Sequence, residues 1–403
     1  MKRSAVSGNE PHGPWKSEMQ IDHTERGIFN ESHHAFREQV RRFYAQEIEP
    51  NVAAWERDGA FDRNLFRKAA KAGILCPGVP EEYGGGGGDI LHLAVCYEEH
   101  GYSPAGASID SGIDTDASAY IILLGGTEAQ KQFWLPKFAS GEVVGEGLFT
   151  EPHAGSDMTA MKTTAVRQGD QWVINGSKAW ITNGNHLDLC LLVARIKEAG
   201  DTKPKFGLFL IDADAPGVSK GKPFQTMLRG CGNLGELFFE NVRVGDDRVL
   251  GGPGASGLGQ AARTLSITRT IFAARSVAAC ELAFHMALDY VKDRPAFGKT
   301  LFDLPVIKAK LAQVKMRIAV ARAFVDKCLV AARDGRLTAE QSSMAKLWCT
   351  EMEVEITDIC AHLHGAMGFS NEHPISKMVA AARGHRFAMG VSEMQLDTIA
   401  RQL

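Results

Sequence analysis

Three textures of hydrophobic and polar positions follow one another along the chain. Over about residues 28–140 apolar side chains recur at helical spacing, as in His34, Phe36, Val40, Phe43 and Tyr44, the period of a helix with one buried face. Asn30 or Ser32 stands where an N-cap belongs, since a short polar side chain satisfies the free amides of a first turn. Pro77, Pro80 and the glycine run 84–88 interrupt this pattern. Over about 142–250 the period shortens. Trp172 and Ile174 alternate with polar neighbours, and Asn175-Gly176 predicts a two-residue hairpin turn. Apolar runs at 187–196, 206–211 and 237–244, punctuated by Gly, Asn, Asp and Pro, extend a small antiparallel sandwich or barrel. From about 258 onward the helical period returns. Residues 268–294 are apolar nearly all round, which predicts a helix buried on several sides. Long helices are expected near 304–334 and 338–364, and a last one over 373–403.

The predicted class is α+β: an N-terminal helical domain (28–141), a central antiparallel β domain (142–255) and a C-terminal four-helix bundle (256–403), after a polar lead-in (1–27). So much apolar surface on the long helices suggests a bundle completed by neighbouring subunits. Composition narrows the function. A net charge of -3 over 403 residues argues against nucleic-acid binding. No window approaches the roughly 18 consecutive apolar residues of a membrane span. The lead-in lacks a signal peptide's apolar core. Eight cysteines without a C-x-x-C pair read as reduced thiols in a cytoplasmic protein. The scattered histidines predict no metal site.

Two glycine motifs are set aside. Gly252-x-Gly254-x-x-Gly257 matches a dinucleotide fingerprint, but no βαβ unit follows it. The 84–88 run has no Lys-Ser or Lys-Thr after it, so it is no phosphate loop. Four other segments carry more: Phe149-Thr-Glu-Pro-His-Ala-Gly-Ser-Asp157, Lys178-Ala-Trp-Ile-Thr-Asn-Gly184, Arg294-Pro-Ala-Phe-Gly-Lys299 and His364-Gly-Ala-Met-Gly-Phe369. In this order and spacing they resemble the acyl-CoA dehydrogenase family, long-chain-like branch, from about Phe29 to the C-terminus. The resemblance implies FAD, an acyl-CoA or other acyl thioester as substrate, α,β-desaturation, and an electron-transfer flavoprotein as acceptor. It implies a homotetramer, or a mixed oligomer with a related subunit.

The chemistry fits. A flat tricyclic flavin wants an apolar wall and hydrogen bonds at its polar edge. Trp180 suits the wall. Thr150 and Thr182 suit the edge, with Thr182 near the hydride-accepting N5 by resemblance, and the resemblance also implies Phe149 as a cofactor-binding residue. Ser156 is implied to reach both flavin and substrate. Arg294 and Phe297 resemble residues lent to a neighbour's cofactor, where a guanidinium forks onto pyrophosphate. His362 and Gly365 fall at further lent contacts. Arg269 is implied to steady substrate and flavin, with a structural ion pair as the alternative.

The sequence departs from the family at its base. The family carboxylate that takes the α-proton sits at one of two positions, held here by Met389 and Thr268. Neither is a credible base. Ala388 replaces an aromatic residue, Val391 a threonine, Ala366 a glycine, and Pro305 a glutamine in what was read as a helix. Met389 keeps a backbone N–H that can meet a thioester carbonyl. Asp114, with Asp116 beside it, and Glu393 are candidates for a relocated base. A mixed oligomer whose partner supplies the base is one expectation. A flavin monooxygenase on the same fold, needing no such base, and a non-catalytic partner subunit are the others.

Overall fold

The computed structural model describes residues 26–109, 113, 116–184, 186–197, 204–228, 230–231 and 234–403. Seven helices come first: α1 (Glu31–Phe43), α2 (Val52–Asp58), α3 (Asn64–Lys71), α4 (Ile90–Tyr102), α5 (Gly106–Ile109), α6 (Asp116–Gly125) and α7 (Glu128–Ala139). Asn30 caps α1 as predicted, its side chain accepting the His33 amide while His33 Nδ1 accepts the Asn30 N–H. Asp89 and His92 repeat the device on α4.

A seven-stranded sheet follows: β1 (Gly145–Leu148), β2 (Thr164–Gln168), β3 (Gln171–Ile181), β4 (Leu189–Lys197), β5 (Lys205–Asp212), β6 (Val218–Lys220) and β7 (Gly235–Gly245). The order is β1-β4-β2-β3-β7-β6, with β5 also on β4. The sheet is mixed rather than wholly antiparallel, because β4 runs parallel to both β1 and β2. Asn175-Gly176 is not a hairpin turn. It lies inside β3 at a bulge against β7, and the β2–β3 turn forms at Gly169, where φ is +63°. Glycine is needed at 176 for a different reason: a Cβ there would sit 2.4 Å from Thr163 Oγ1.

The C-terminal bundle is α8 (Gly257–Asp293), α9 (Pro305–Arg333), α10 (Ala339–Leu363), α11 (Pro374–His385) and α12 (Ser392–Ala400). A two-stranded hairpin, β8 (Pro295–Ala296) and β9 (Lys299–Thr300), joins α8 to α9. Pro305 disturbs nothing. It opens α9 at the first helical position, where its missing N–H has no partner to lose. The last helix expected over 373–403 is two helices, α11 and α12, broken at Met389-Gly390. By length and hydropathy α8 could cross a membrane. Of its most apolar 18-residue window, 78% is buried inside the fold, as in a core helix.

Three cores hold the layers together. The largest lies among α1, α4, α8, α9 and α10, with Val40, Leu91, Val277 and Ile356 at its centre. The others cover the two faces of the sheet, one beneath α6 and α7 and one around Trp172, Phe209 and Phe239. Glu98 of α4 is fully buried and receives Arg26, Arg37 of α1 and Arg322 of α9 at 2.7–2.9 Å. That one carboxylate ties the N-terminal helices to the bundle.

Candidate active site

The ends of β1 and β3 bring the first two motifs together. The Ala179 amide donates to Thr150 O at 3.0 Å. Lys178, fully buried, reaches Phe149 O at 2.9 Å and Glu151 Oε1 at 3.0 Å. Glu151 also accepts the amides of Lys162 and Thr163. Burial pushes the Lys178 ammonium down to about 8, and Glu151 only partly offsets that. Burial also works against the Glu151 anion, but Thr163, Lys162 and Lys178 outweigh it and hold that carboxyl below its ordinary range. The pair pins the turn between the two motifs. Both residues lay inside the quoted strings, and a charged pair within apolar surroundings was the available signal.

The pinned turn presents a surface. Trp180 is 53% exposed and sits at φ +61°, a backbone region rare for bulky residues. Its ring stacks on Phe224, centroids 4.0 Å apart and planes 16° from parallel. Phe224 comes from the loop after β6, too distant in sequence to be foreseen. The hydroxyls of Thr150, Ser156 and Thr182 have no protein partner among the described residues. Phe149 and Thr182 are half-buried, and Ser156 is exposed in the turn after Ala154. A partly open aromatic wall beside unpartnered hydroxyls fits the ring and polar edge of a flavin.

The second constellation surrounds the break between α11 and α12. Arg269 of α8 is buried. It donates from Nε to Met389 O at 3.0 Å and from a terminal nitrogen to Ser343 Oγ at 3.2 Å. No carboxylate pairs with it among the described residues, so the ion-pair alternative is not what forms. Burial alone lowers its pKa. Met389 adopts φ +55° and Gly390 +96°. Lys346 of α10 and Gln395 of α12 also bind this turn, and neither was foreseen. Thr268 cannot serve as a free hydroxyl base, because its Oγ1 bonds Thr264 O at 3.2 Å and Leu265 O at 3.1 Å on its own helix.

The remaining predicted residues lie elsewhere. Arg294 is exposed at the end of α8, and Phe297 is 87% exposed at the hairpin tip with φ +51°. His362 and Gly365 are exposed at the far end of α10. Glu393 is exposed in the first turn of α12, a favourable place for an acid near helix amides. Asp114 lies outside the described residues. Asp116 is buried, accepts the Cys76 amide at 2.7 Å, and is raised to about 6 by burial. Among the described residues His33, Asp89 and His92 bring three possible metal ligands within 4.8 Å. Both histidine Nδ1 atoms are already engaged by the capping amides of α1 and α4.

Comparison with known proteins bears on the family and the fold. Three profiles of the acyl-CoA dehydrogenase family match in order: the N-terminal domain over residues 30–142, the middle domain over 148–242 and the C-terminal domain over 255–403. The long-chain specific mitochondrial acyl-CoA dehydrogenase of Mus musculus is 37% identical over 382 residues, covering 94% of this chain and 88% of that protein. An acyl-CoA dehydrogenase crystal structure from Geobacillus kaustophilus superposes with TM-score 0.88 at 33% identity, over 93% of this chain and 98% of that one. A glutaryl-CoA dehydrogenase of Mycobacterium smegmatis in complex with FADH2 superposes with TM-score 0.86 at 25% identity, over 94% of this chain and 96% of that one. The cytoplasmic expectation is corrected here, since the mouse relative is a mitochondrial protein. Eight free thiols do not choose between such compartments.

Proposed function

The chain belongs to the acyl-CoA dehydrogenase family, and from that membership we propose a dehydrogenase subunit whose catalytic carboxylate comes from a second, related chain. It is an FAD-dependent oxidoreductase of the acyl-CoA dehydrogenase type, and its reaction is α,β-desaturation of an acyl thioester. Bound FAD supplies the hydride acceptor.

The chain's own residues divide the remaining work. Trp180, backed by Phe224, would form the wall for the flavin ring, with Phe149, Thr150 and Thr182 at the polar edge and Ser156 at the flavin and substrate arm. The Met389 N–H would receive the thioester carbonyl, an oxyanion-type contact. The electrons would leave to an electron-transfer flavoprotein. Arg294, Phe297, His362 and Gly365 would serve a neighbouring subunit. Helix length supports this: Arg269 to Arg294 spans about 37 Å of helical rise, so the exposed hairpin cannot reach the Arg269 turn of its own protomer.

One observation carries the missing-base reading. The turn that would meet the thioester is fully built, yet among the described residues no Asp or Glu pairs with Arg269, Lys346 or the Met389-Gly390 backbone. That absence, together with Met389 and an internally bonded Thr268 at the two family positions, supports a proton acceptor supplied from elsewhere. The test is anaerobic mixing of a panel of acyl-CoAs with the chain purified alone and with the chain co-purified with a homologue that keeps the carboxylate. Flavin bleaching is expected only in the mixed oligomer. A homo-oligomer carrying one flavin per subunit and desaturating acyl-CoA would refute the proposal.

A further inference from the structure

Regular strand geometry would place residues 178 and 180 on one face of β3. Here they face opposite ways. Lys178 has no exposed surface, and Trp180 is half exposed. A bulge separates them. From Lys178 to Ile181 the strand advances three residues while β7 advances two, from Leu237 to Gly235. Trp180 lies within that bulge, at φ +61°. Lys178 is the last paired residue before it, and its Nζ donates to Phe149 O at 2.9 Å and Glu151 Oε1 at 3.0 Å. One buried ammonium therefore fixes where β3 breaks and where the Phe149–Thr150 peptide lies.

The bond to Phe149 O has a second consequence. That carbonyl shares its peptide with the Thr150 N–H. A cation on the carbonyl polarises the peptide and strengthens the N–H as a donor. The Thr150 N–H itself donates to nothing among the described residues. Glu151 does not cancel the effect. Its charge is also drawn on by the amides of Lys162 at 2.7 Å and Thr163 at 3.0 Å. We propose that Lys178 is a positioning residue that charges the Phe149–Thr150 peptide and so favours reduced over oxidised flavin. This role rests on the functional reading above, in which Thr150 meets the flavin's polar edge, and adds what sets how readily bound FAD takes electrons. A hydride brings two electrons and one proton, so the ring that receives it becomes one unit more negative. A fixed donor backed by an ammonium stabilises that charge more than it stabilises the neutral ring.

Burial draws the Lys178 ammonium down to about 8, and Glu151, the charged group that faces it, offsets part of the fall. His153 meets the other oxygen of Glu151 at 3.4 Å, and the apolar Leu237 stands opposite Lys178 on β7. A more negative ring holds the ammonium proton more tightly. The reduction potential should therefore fall more steeply with pH just above 8 than below it.

The test is the midpoint potential of the full, flavin-loaded chain, read against reference dyes on both sides of about pH 8. Below that pH, Lys178→Met should lower the potential by about 30 mV, a tenfold loss in preference for reduced over oxidised FAD. The difference should close over roughly one pH unit above it. A side chain that only braces the fold would shift the potential equally at every pH. Circular dichroism and FAD content show whether Lys178→Met is folded. If it is not, the wild-type protein carries the test, through about 30 mV of extra fall across the same window. Equal potentials in wild type and the folded variant, a difference that does not close, or a wild-type line without the extra fall would overturn the inference alone, leaving Lys178 structural. Failure of the wild-type chain to hold FAD, both alone and with its homologue, would overturn the functional reading and this inference with it.

Discussion

Asp116 shows how one buried side chain can be read two ways. Its carboxyl accepts the Cys76 amide, and burial lifts it to about 6, a value that would suit a general base. The folded value lies above the ordinary 3.8. Its stabilising contribution is therefore complete below 3.8 and is lost as pH rises through about 6. Asp116→Asn keeps the acceptor and removes the charge. Near neutral pH it should stabilise the protein by on the order of 1–3 kcal/mol, read by urea unfolding, with no gain below 3.8. Full retention of flavin reduction in the mixed oligomer would exclude Asp116 as a relocated base. Trp180 gives a second residue-scale expectation. Phe224→Ala removes the ring behind it, worth about 0.5–1.5 kcal/mol for such pairs. FAD should then bind apoprotein several-fold more weakly in a fluorescence titration, with the fold intact. At this scale the motifs made Trp180 and Thr182 legible. Phe224 and Lys346 were not, because their contacts join segments about 40 residues apart, and Gln395 was not, because the turn it binds was read as helix.

Among elements, the connection from α10 to α11 carries two acid-sensitive histidines. His373 caps α11 and lies against His364, ring centroids 4.6 Å apart. Burial, helped by the neighbouring His364, lowers His373 to about 4, and burial lowers His364 as well. The unfolded chain therefore takes up these protons at higher pH than the folded one, and stability is lost as pH falls from about 6.5 toward 4. His373→Asn keeps a capping side chain and should flatten the fall of the thermal midpoint over that window. An unchanged slope would show that other groups dominate. Periodicity predicted α8, α9 and α10 to within a few residues, except that α8 begins well before the expected start. It missed two features of the site. Residues 373–403 read as one helix because apolar residues recur on both sides of Met389. Arg269 and Lys346 from outside the segment, and Gln395 from within it, bind the carbonyls at the break. Asn175-Gly176 has hairpin composition, but the close approach of Thr163 puts its glycine to another use.

Across the whole molecule, the N-terminal helices and the bundle share Glu98. Burial alone would raise this carboxyl, but Arg26, Arg322 and Arg37 hold it well below its ordinary range. Glu98→Gln leaves three guanidinium groups around a neutral amide. It should cost about 3–5 kcal/mol, the scale of breaking a buried ion pair, in denaturant unfolding at neutral pH. The three-part architecture was legible because each part has its own period, and the motifs tied it to a family. The division of the site was legible only in outline. That the Arg294 hairpin serves a neighbour is the proposal made above, and it leans on a helix length that the pattern over 268–294 already implied. The central claim is that everything except the proton acceptor is in place. It is tested most directly by restoring the acid and following flavin absorbance under anaerobic acyl-CoA addition. Met389→Glu or Thr268→Glu in the chain alone should turn a silent flavin into one that bleaches. Bleaching by the unaltered chain alone, as fast as by either variant, would contradict it.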